Sequence, residues 1–150
     1  MAGPDDTPLL LDVMLGKLAR VLRMCGYDAA YALDRGVEDD DRLREIAARE
    51  DRTLLTRDAE LARRTPGSVR LRTRRVDDQL AELAESGFDL SLPDEPDRCA
   101  TCNGRLVDAE PPHPEHVPDD AARVWRCADC GQRYWKGSHW DDVETRLAGL

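Results

Sequence analysis

The chain has 150 residues and a mass of 16.9 kDa, which suits one domain with at most a small appendage. Its 41% hydrophobic residues suffice for a core, but no apolar run approaches the roughly 18 residues of a membrane-spanning helix. With 22 Lys and Arg against 31 Asp and Glu, the net charge of −9 argues against a generic basic nucleic-acid coat. The first eight residues lack the basic and apolar segments of a secretory signal, so we expect a cytoplasmic protein away from any membrane.

Up to about residue 87, short apolar runs alternate with helical patterns. Strands are predicted at 9–12, 27–33, 52–58 and 69–73, and helices at 13–26, 39–51, 58–64 and 76–87. Four successive strand–helix units predict an α/β fold, a parallel sheet flanked by helices. Helical spacing predicts the following inward-facing residues: Leu15, Leu18, Ala19, Leu22, Cys25, Leu43, Ile46, Ala47, Leu80, Leu83 and Ala84.

The composition changes near residue 90. Residues 91–97, SLPDEPD, contain two prolines and three acids and are typical of a linker or domain edge. Four of the five cysteines and all three tryptophans follow. We therefore predict a main domain at 1–92, a cysteine-rich module at 93–140 and a C-terminal tail at 141–150.

Carboxylates follow two of the predicted strands: Asp12 ends the first and Asp58 ends the third. Sites in open parallel sheets form outside the carboxyl ends of the strands. If those strands are neighbours, the two side chains converge, and Asp40 or Asp41 from the intervening helix adds a third carboxylate. Such groups repel one another unless a hard dication such as Mg²⁺ or Mn²⁺ bridges them, and these ions promote phosphodiester hydrolysis.

The same acids also have a non-catalytic interpretation. Asp58 is well placed to cap a helix, and residues 38–41, EDDD, suit a solvated first helical turn. The protein is then an RNA- or protein-binding adaptor. Other strand-end carboxylate enzymes fit less well, because the sequence lacks the DxD of a dehalogenase-like phosphatase after the first strand and the late-strand lysine of an aspartyl-phosphate receiver.

Basic residues accompany the acids. Lys17 and Arg20 follow Asp12 along one side of the first helix, and Arg57 precedes Asp58. We interpret these three as phosphate-binding residues or as charges that balance the carboxylates. Residues 63–75 contain six arginines and no acid, which suits either an RNA-binding strip or a charged edge strand that resists pairing.

The four late cysteines form two CxxC pairs separated by 24 residues, Cys99 and Cys102, then Cys127 and Cys130. This spacing predicts a structural Zn²⁺ site with four thiolate ligands and no open position for catalysis. A small module with few aliphatic residues needs such an ion to fold. The nearby aromatics are expected to form the core of the module, with base stacking as the alternative: Trp125, Tyr134, Trp135 and Trp140.

Four blocks together resemble the Mut7-C type ribonuclease family, a branch of the PIN-like nucleases: DVMLGKLARVLRMCGYDAAY (12–31), DDDRLREIAARE (39–50), RTLLTRDAEL (52–61) and YWKGSHW (134–140). The resemblance spans residues 9 to about 140. It implies a PIN-like sheet, a C-terminal zinc ribbon and Mg²⁺- or Mn²⁺-dependent cleavage of RNA.

The positions that match the acidic residues of this family are Asp12, Asp40 and Asp58. Asp41 competes with Asp40, because three consecutive acids leave the register open by one residue. The fourth acid of PIN-like sites has no clear counterpart, and Asp77 and Asp78 are candidates by chain position alone.

Overall fold

A computed structural model describes residues 2–150, which form two separate sheets. The larger sheet is wholly parallel, with strand order β2–β1–β3–β4. Its strands are β1 (Leu9–Leu11), β2 (Ala29–Tyr31), β3 (Thr53–Thr56) and β4 (Val69–Arg70). The predicted α/β class with a parallel sheet is confirmed.

Helices cover both faces of this sheet. They are α1 (Gly16–Met24), preceded by a 3₁₀ turn at Val13–Leu15, then α2 (Asp40–Arg49), α3 (Ala59–Arg64) and α4 (Val76–Glu85). Leu9 and Leu11 point to the face that packs against α1 and α4, whereas Leu10 points to α2 and α3. Alternation along β1 thus divides the core into two layers, and all three leucines are completely buried.

The inward faces predicted for α1 and α2 are confirmed, but that of α4 is partly wrong. Leu80 and Leu83 are buried as predicted, whereas Ala84 is exposed. The buried stripe of α4 instead includes Gln79, whose side-chain amide donates to the carbonyl of Thr73 at 2.9 Å. Because that bond satisfies a donor of the amide, a polar residue is accommodated at an inward position of α4.

The C-terminal segment is helical where a tail is predicted. Helix α5 (Ser138–Ala148) packs Val143 and Leu147 into the core layer formed by α1 and α4. Arg146 on the same helix donates to Asp77 at 3.0 Å from its Nε. The chain therefore returns from the cysteine-rich module to the main domain, and Asp77 serves to dock α5.

The cysteine-rich module contains the smaller, antiparallel sheet. Its strands are β5 (Leu106–Asp108), β6 (Trp125–Cys127) and β7 (Arg133–Tyr134). Within residues 2–150, no helix combines the length and the apolar character that crossing a bilayer requires.

Arg23 joins the module to the main domain. This arginine lies at the end of α1 and its side chain is only 3% exposed. Its Nε donates to the carbonyl of Ala29 at 2.9 Å, and its Nη1 donates to the carbonyls of Ala100 at 3.0 Å and Thr101 at 3.3 Å. A single guanidinium thus ties α1, β2 and the first cysteine loop together.

Asn103 makes a second connection at the same end of β2. Its side chain accepts from the N–H of Ala29 at 3.0 Å and donates to Asp28 at 2.8 Å. Burial by itself raises the pKa of Asp28, but hydrogen bonds from Arg52 and Asn103 outweigh that effect and lower it. The module therefore docks at the amino edge of the parallel sheet, beside a paired and hydrogen-bonded carboxylate.

We predict that Arg23→Met lowers the free energy of unfolding by about 2–4 kcal/mol, because methionine fills similar space but leaves three carbonyls without their donor. Urea denaturation of the zinc-loaded protein measures the change. Arg20→Met, on an exposed position of the same helix, is the matched control and should shift stability by about 0.5 kcal/mol or less. An unaltered midpoint for Arg23→Met would contradict the docking role.

Candidate functional site

The strands that carry Asp12 and Asp58 are neighbours in the sheet. β1 and β3 pair in parallel with Leu11 opposite Leu55, and the N–H of Asp12 extends the ladder to the carbonyl of Leu55 at 3.1 Å. The condition that the sequence left open, adjacency of the first and third strands, is therefore met. Both acids leave the sheet at its carboxyl edge.

Thr56, which the sequence reasoning missed, links these two acids. Its buried hydroxyl donates to Oδ2 of Asp12 at 2.7 Å and accepts from the N–H of Asp58 at 3.0 Å. Oδ1 of Asp12 accepts from the N–H of Val13 at 2.8 Å. Asp12 is only 4% exposed, and these bonds compensate part of the cost of burying its carboxylate. The signal for Thr56 was its place at the end of β3, two residues before Asp58.

Asp58 caps helix α3, as the non-catalytic interpretation expects. Its Oδ1 accepts from the N–H groups of Glu60 at 2.9 Å and Leu61 at 3.2 Å. Its side chain is exposed at the edge of the sheet. Both capping bonds use Oδ1, so capping does not prevent Oδ2 from binding a ligand. The two interpretations of Asp58 are therefore compatible.

The structure separates Asp40 from Asp41. Asp40 is half-buried, and its burial and the negative charges of Asp58 and Asp12 raise its pKa. Asp41 is exposed and its carboxylate lies 3.2 Å from Arg64 and 3.6 Å from Arg44. Asp40 therefore belongs with the acids at the carboxyl edge, whereas Asp41 belongs to a surface ion pair.

Acids elsewhere in the main domain form ion pairs with arginines, but Asp12, Asp40 and Asp58 do not. Asp28 pairs with Arg52 and Asp77 pairs with Arg146. Asp12, Asp40 and Asp58 form no ion pair with any residue in the described range, 2–150. Three carboxylates without a protein cation are a donor set that fits a hard dication such as Mg²⁺ or Mn²⁺.

The predicted phosphate-binding residues lie in different surroundings. Lys17 is exposed in the first turn of α1. Arg57, next to Asp58, is half-buried, and within residues 2–150 its buried Nε has no hydrogen-bond partner. Arg20 lines a cavity beside the cysteine-rich module.

Part of the arginine-rich segment, residues 63–75, is accounted for by the surface of the fold. β4 pairs only with β3, so it is an edge strand of the larger sheet. Arg63 pairs with Glu60, and Arg64 pairs with Asp41. The exposed Arg70 on this edge fits the predicted role of charge in preventing further strand pairing.

Two further residues shape the turn after Asp12. The hydroxyl of Tyr31 donates to the carbonyl of Val13 at 2.6 Å, and its ring lies over Gly16. A Cβ at Gly16 would come within 2.9 Å of the Tyr31 hydroxyl oxygen and 3.2 Å of the ring. The glycine in the first sequence block is thus required by a close contact that packs the turn against β2.

The four late cysteines form a compact group whose Sγ atoms all lie within 4.8 Å of one another. In the part of the chain that the structure describes, residues 2–150, it is the one group of three or more His, Cys, Asp or Glu side chains already placed to hold a metal ion. The carboxylates at the sheet edge converge less closely, and like-charge repulsion opposes a closer approach.

Backbone groups favour the thiolate form of Cys127, whereas the pKa values of Cys102 and Cys130 are raised. Burial raises the pKa of Cys127, but the N–H groups of Cys130 and Asp129, each 3.4 Å from its Sγ, outweigh this and lower the pKa to about 7. Gly104 lies so close that a Cβ there would be 2.7 Å from the Cys127 sulfur. A deprotonated thiol is the form that binds a metal.

The aromatic residues of the module are mainly structural, as predicted. Trp125 and Trp140 are buried. The hydroxyl of the half-buried Tyr134 lies 3.0 Å from the Cys99 sulfur. Trp135 is half-buried and lines the cavity that contains Arg20.

Comparison with known proteins yields one match. A family model described as the Mut7-C RNAse domain matches residues 7–147, nearly the whole chain. No curated protein and no solved structure matches this chain.

We predict that Asp40→Asn raises Tm by about 1–3 °C at pH 7 in zinc-loaded protein without added Mg²⁺ or Mn²⁺. A carboxyl group whose pKa is raised on folding favours the folded state at low pH and loses that contribution as pH rises through the raised pKa. Removing the charge at neutral pH therefore relieves repulsion from Asp58 and Asp12. Thermal melts between pH 7 and pH 4 should show the gain shrinking as the carboxyl of the parent protein becomes protonated.

Asp41→Asn is the matched control, because Asp41 lies in the same first turn of α2 and experiences the same helix dipole. It loses its arginine partners and should not be stabilised. A second measurement concerns the ion itself: Mn²⁺ should raise Tm more in the parent protein than in Asp40→Asn. Equal shifts in both would show that Asp40 does not bind the ion.

Proposed function

We propose that this chain, which belongs to the Mut7-C RNAse domain family, is a metal-dependent ribonuclease that hydrolyses RNA phosphodiester bonds. The family supports a nuclease-type function. The observation that supports the metal-dependent mechanism is the position of Asp12 and Asp58 at the carboxyl ends of two adjacent parallel strands, with Asp40 near enough for their charges to raise its pKa. None of the three has a cationic partner in residues 2–150.

In this proposal, Asp12, Asp40 and Asp58 hold Mg²⁺ or Mn²⁺. Such an ion, when bound, supplies Lewis-acid stabilisation of the phosphate and makes an attacking water more acidic. The chain holds the acids in position: Thr56 fixes the carboxylate of Asp12, and the cap on α3 fixes Asp58 through one oxygen. Lys17 follows Asp12 by five residues and Arg57 precedes Asp58, and we assign both to phosphate binding.

We predict that Asp12→Asn and Asp58→Asn each lower cleavage of labelled RNA by about 100-fold or more, the scale on which loss of one principal electrostatic group acts. Asparagine keeps the size of aspartate and still caps a helix, so both variants should fold. The assay uses zinc-loaded protein with single-stranded and structured RNA, in Mn²⁺, in Mg²⁺ and in buffer without either ion. Dialysis is preferable to EDTA, which would also remove metal from the cysteines.

The variants Asp40→Asn and Asp41→Asn test which of these two neighbouring acids belongs to the proposed site. We expect the first to lose cleavage and the second to retain it, because Asp41 is engaged by arginines on the surface. Folded Asp12→Asn protein that cleaves as fast as the parent would refute the assignment. Binding of RNA with no cleavage in either ion would support the adaptor instead.

We further propose that the cysteine cluster holds one structural Zn²⁺. The cluster lies in a module with a small three-stranded sheet, and four sulfurs leave no position for substrate. Its first loop is docked by Arg23 and Asn103 at the amino edge of the larger sheet, whereas the carboxylates lie at the opposite edge. A folding role for this ion, separate from the chemistry, follows from that placement.

We predict that purified protein contains about one zinc per chain, and that Cys102→Ser lowers this content and the stability of the module. Cys25→Ala is the matched control, since Cys25 is buried in the main core and should not affect metal content. Elemental analysis, together with a colorimetric assay of the metal released when the thiols are modified, measures the zinc content of both variants. Unchanged zinc in Cys102→Ser would exclude Cys102 as a ligand.

A further inference from the structure

A cavity of about 300 Å³ lies between α1, the cysteine-rich module and the start of α5. Three arginines line it, Arg20 from α1 and Arg98 and Arg133 from the module, and no Asp or Glu does so. This is a local excess of positive charge in a chain with a net charge of −9. The lining therefore suits an anionic ligand, and its volume is in the range of small-molecule sites.

Two of these arginines have donors that the fold leaves unused. The Nη1 of Arg98 donates to the carbonyl of Asn103 at 3.1 Å, and its Nη2 lies 4.0 Å from the carboxylate of Asp28. The Nη1 of Arg133 donates to the carbonyl of Gly131 at 2.8 Å. In both, the buried Nε has no hydrogen-bond partner within residues 2–150. Because both Nε atoms are buried, a ligand in the cavity would bind the terminal N–H groups of these guanidinium groups instead. The bonded Nη1 groups meanwhile hold both guanidinium groups in place.

One aromatic ring in the lining is suited to stacking. The Trp125 ring is covered by Arg123 at 4.8 Å, and the Trp140 ring by Lys136 at 5.5 Å. Trp135 has no such cation in the described residues and is only half-buried, and its ring is tilted at 45° to that of His116 with 6.0 Å between the centroids. A Cβ at Gly137 would lie 2.7 Å from Nε1 of Trp135, so the glycine lets the backbone approach the ring closely. Guanidinium groups beside a partly exposed indole ring match a phosphate linked to a planar base.

We propose that this cavity is a subsite for one unpaired nucleotide of an RNA strand, with its base stacked on Trp135 and its phosphate held by the three arginines. The inference rests on the proposed function, because it concerns the same substrate at a distance from the cleaved bond. An acidic peptide would satisfy the arginines but would leave the indole without a stacking partner. A nucleotide uses both features.

Helix α1 connects this subsite to the carboxylates. Lys17 and Arg20 are three residues apart on its exposed side, with Met24 one further turn along, and Arg20 lies about two turns, ~11 Å, beyond the Asp12 turn. A strand held at Arg20 therefore runs past Lys17 before it reaches Asp12. This gives Arg20 a role in holding RNA at the cavity rather than at the scissile phosphate.

The test measures binding without cleavage, in full-length zinc-loaded protein carrying Asp12→Asn. Fluorescence anisotropy with a fluorescein-labelled single-stranded RNA gives Kd. Arg20→Gln and Trp135→Leu should each raise Kd about 5-fold or more, the scale of one stacking or phosphate contact. Arg49→Gln removes the same charge from an exposed site at the end of α2 and should leave Kd within about 2-fold.

Several outcomes would overturn the subsite: equal Kd values for Arg20→Gln and Arg49→Gln, duplex RNA that competes as well as single-stranded RNA, or an oligoglutamate peptide that competes as well as RNA. Because Arg20 is exposed, its variant remains informative even if Trp135→Leu loses its zinc. Failure of the two proposals can be distinguished. A parent chain that never cleaves while Arg20→Gln weakens binding refutes the nuclease alone, and cleavage with unaltered binding in Arg20→Gln refutes the subsite alone.

Discussion

The hydrogen bond from the Thr56 hydroxyl to Asp12 is the contact on which the carboxyl edge depends. It joins the ends of two adjacent parallel strands, and the same hydroxyl accepts from the N–H of Asp58. A shift of one residue between β1 and β3 would send alternate side chains to the wrong face and separate these partners. The fully buried leucines of β1 oppose such a shift, so the register of the core also fixes the spacing of the acids.

The cysteine-rich module is held at two places, which explains why its position on the main domain is well defined. Arg23 and Asn103 dock its first loop at the amino edge of the sheet. Beyond the module, α5 returns to the core through Val143 and Leu147. Attachment before and after the second pair of cysteines leaves little freedom for rotation. The cavity lined by Arg20 and Trp135 is formed between these attachments, so its shape depends on both.

The sequence predicted much of the fold because its signals are local. The run Leu9–Leu11 and the spacing of Leu15, Leu18 and Leu22 gave a buried strand and one face of a helix. Strand order is a different matter, since nothing in the periodicity of a strand says which other strand it pairs with. Whether Asp12 and Asp58 meet could therefore be posed from the sequence but not decided.

Other features depended on contacts between distant residues. Asp40 and Asp41 are indistinguishable as neighbours in the chain, and they differ only through the fold, which half-buries Asp40 near Asp58 and pairs Asp41 with Arg64. The inward position of Gln79 is accommodated by its bond to Thr73, which no apolar pattern encodes. Helix α5 did have a signal in the spacing of Trp140, Val143 and Leu147. That spacing begins within the aromatic segment after the last cysteine, so the start of the helix was not recognised from the sequence.

Helix α1 takes part in each of these contacts, because its different sides face the sheet, the cysteine-rich module and solvent. Its nine residues begin at the turn that Asp12 and Tyr31 hold, and its buried side packs Leu18 and Leu22 against the sheet. Near its end, Arg23 donates a hydrogen bond to the first cysteine loop. A helix of this length is rigid, so the distance from the acids to the cysteine-rich module is set by its rise rather than by a flexible linker. The positive charges on its remaining, exposed side are thereby held at fixed distances from the carboxylates.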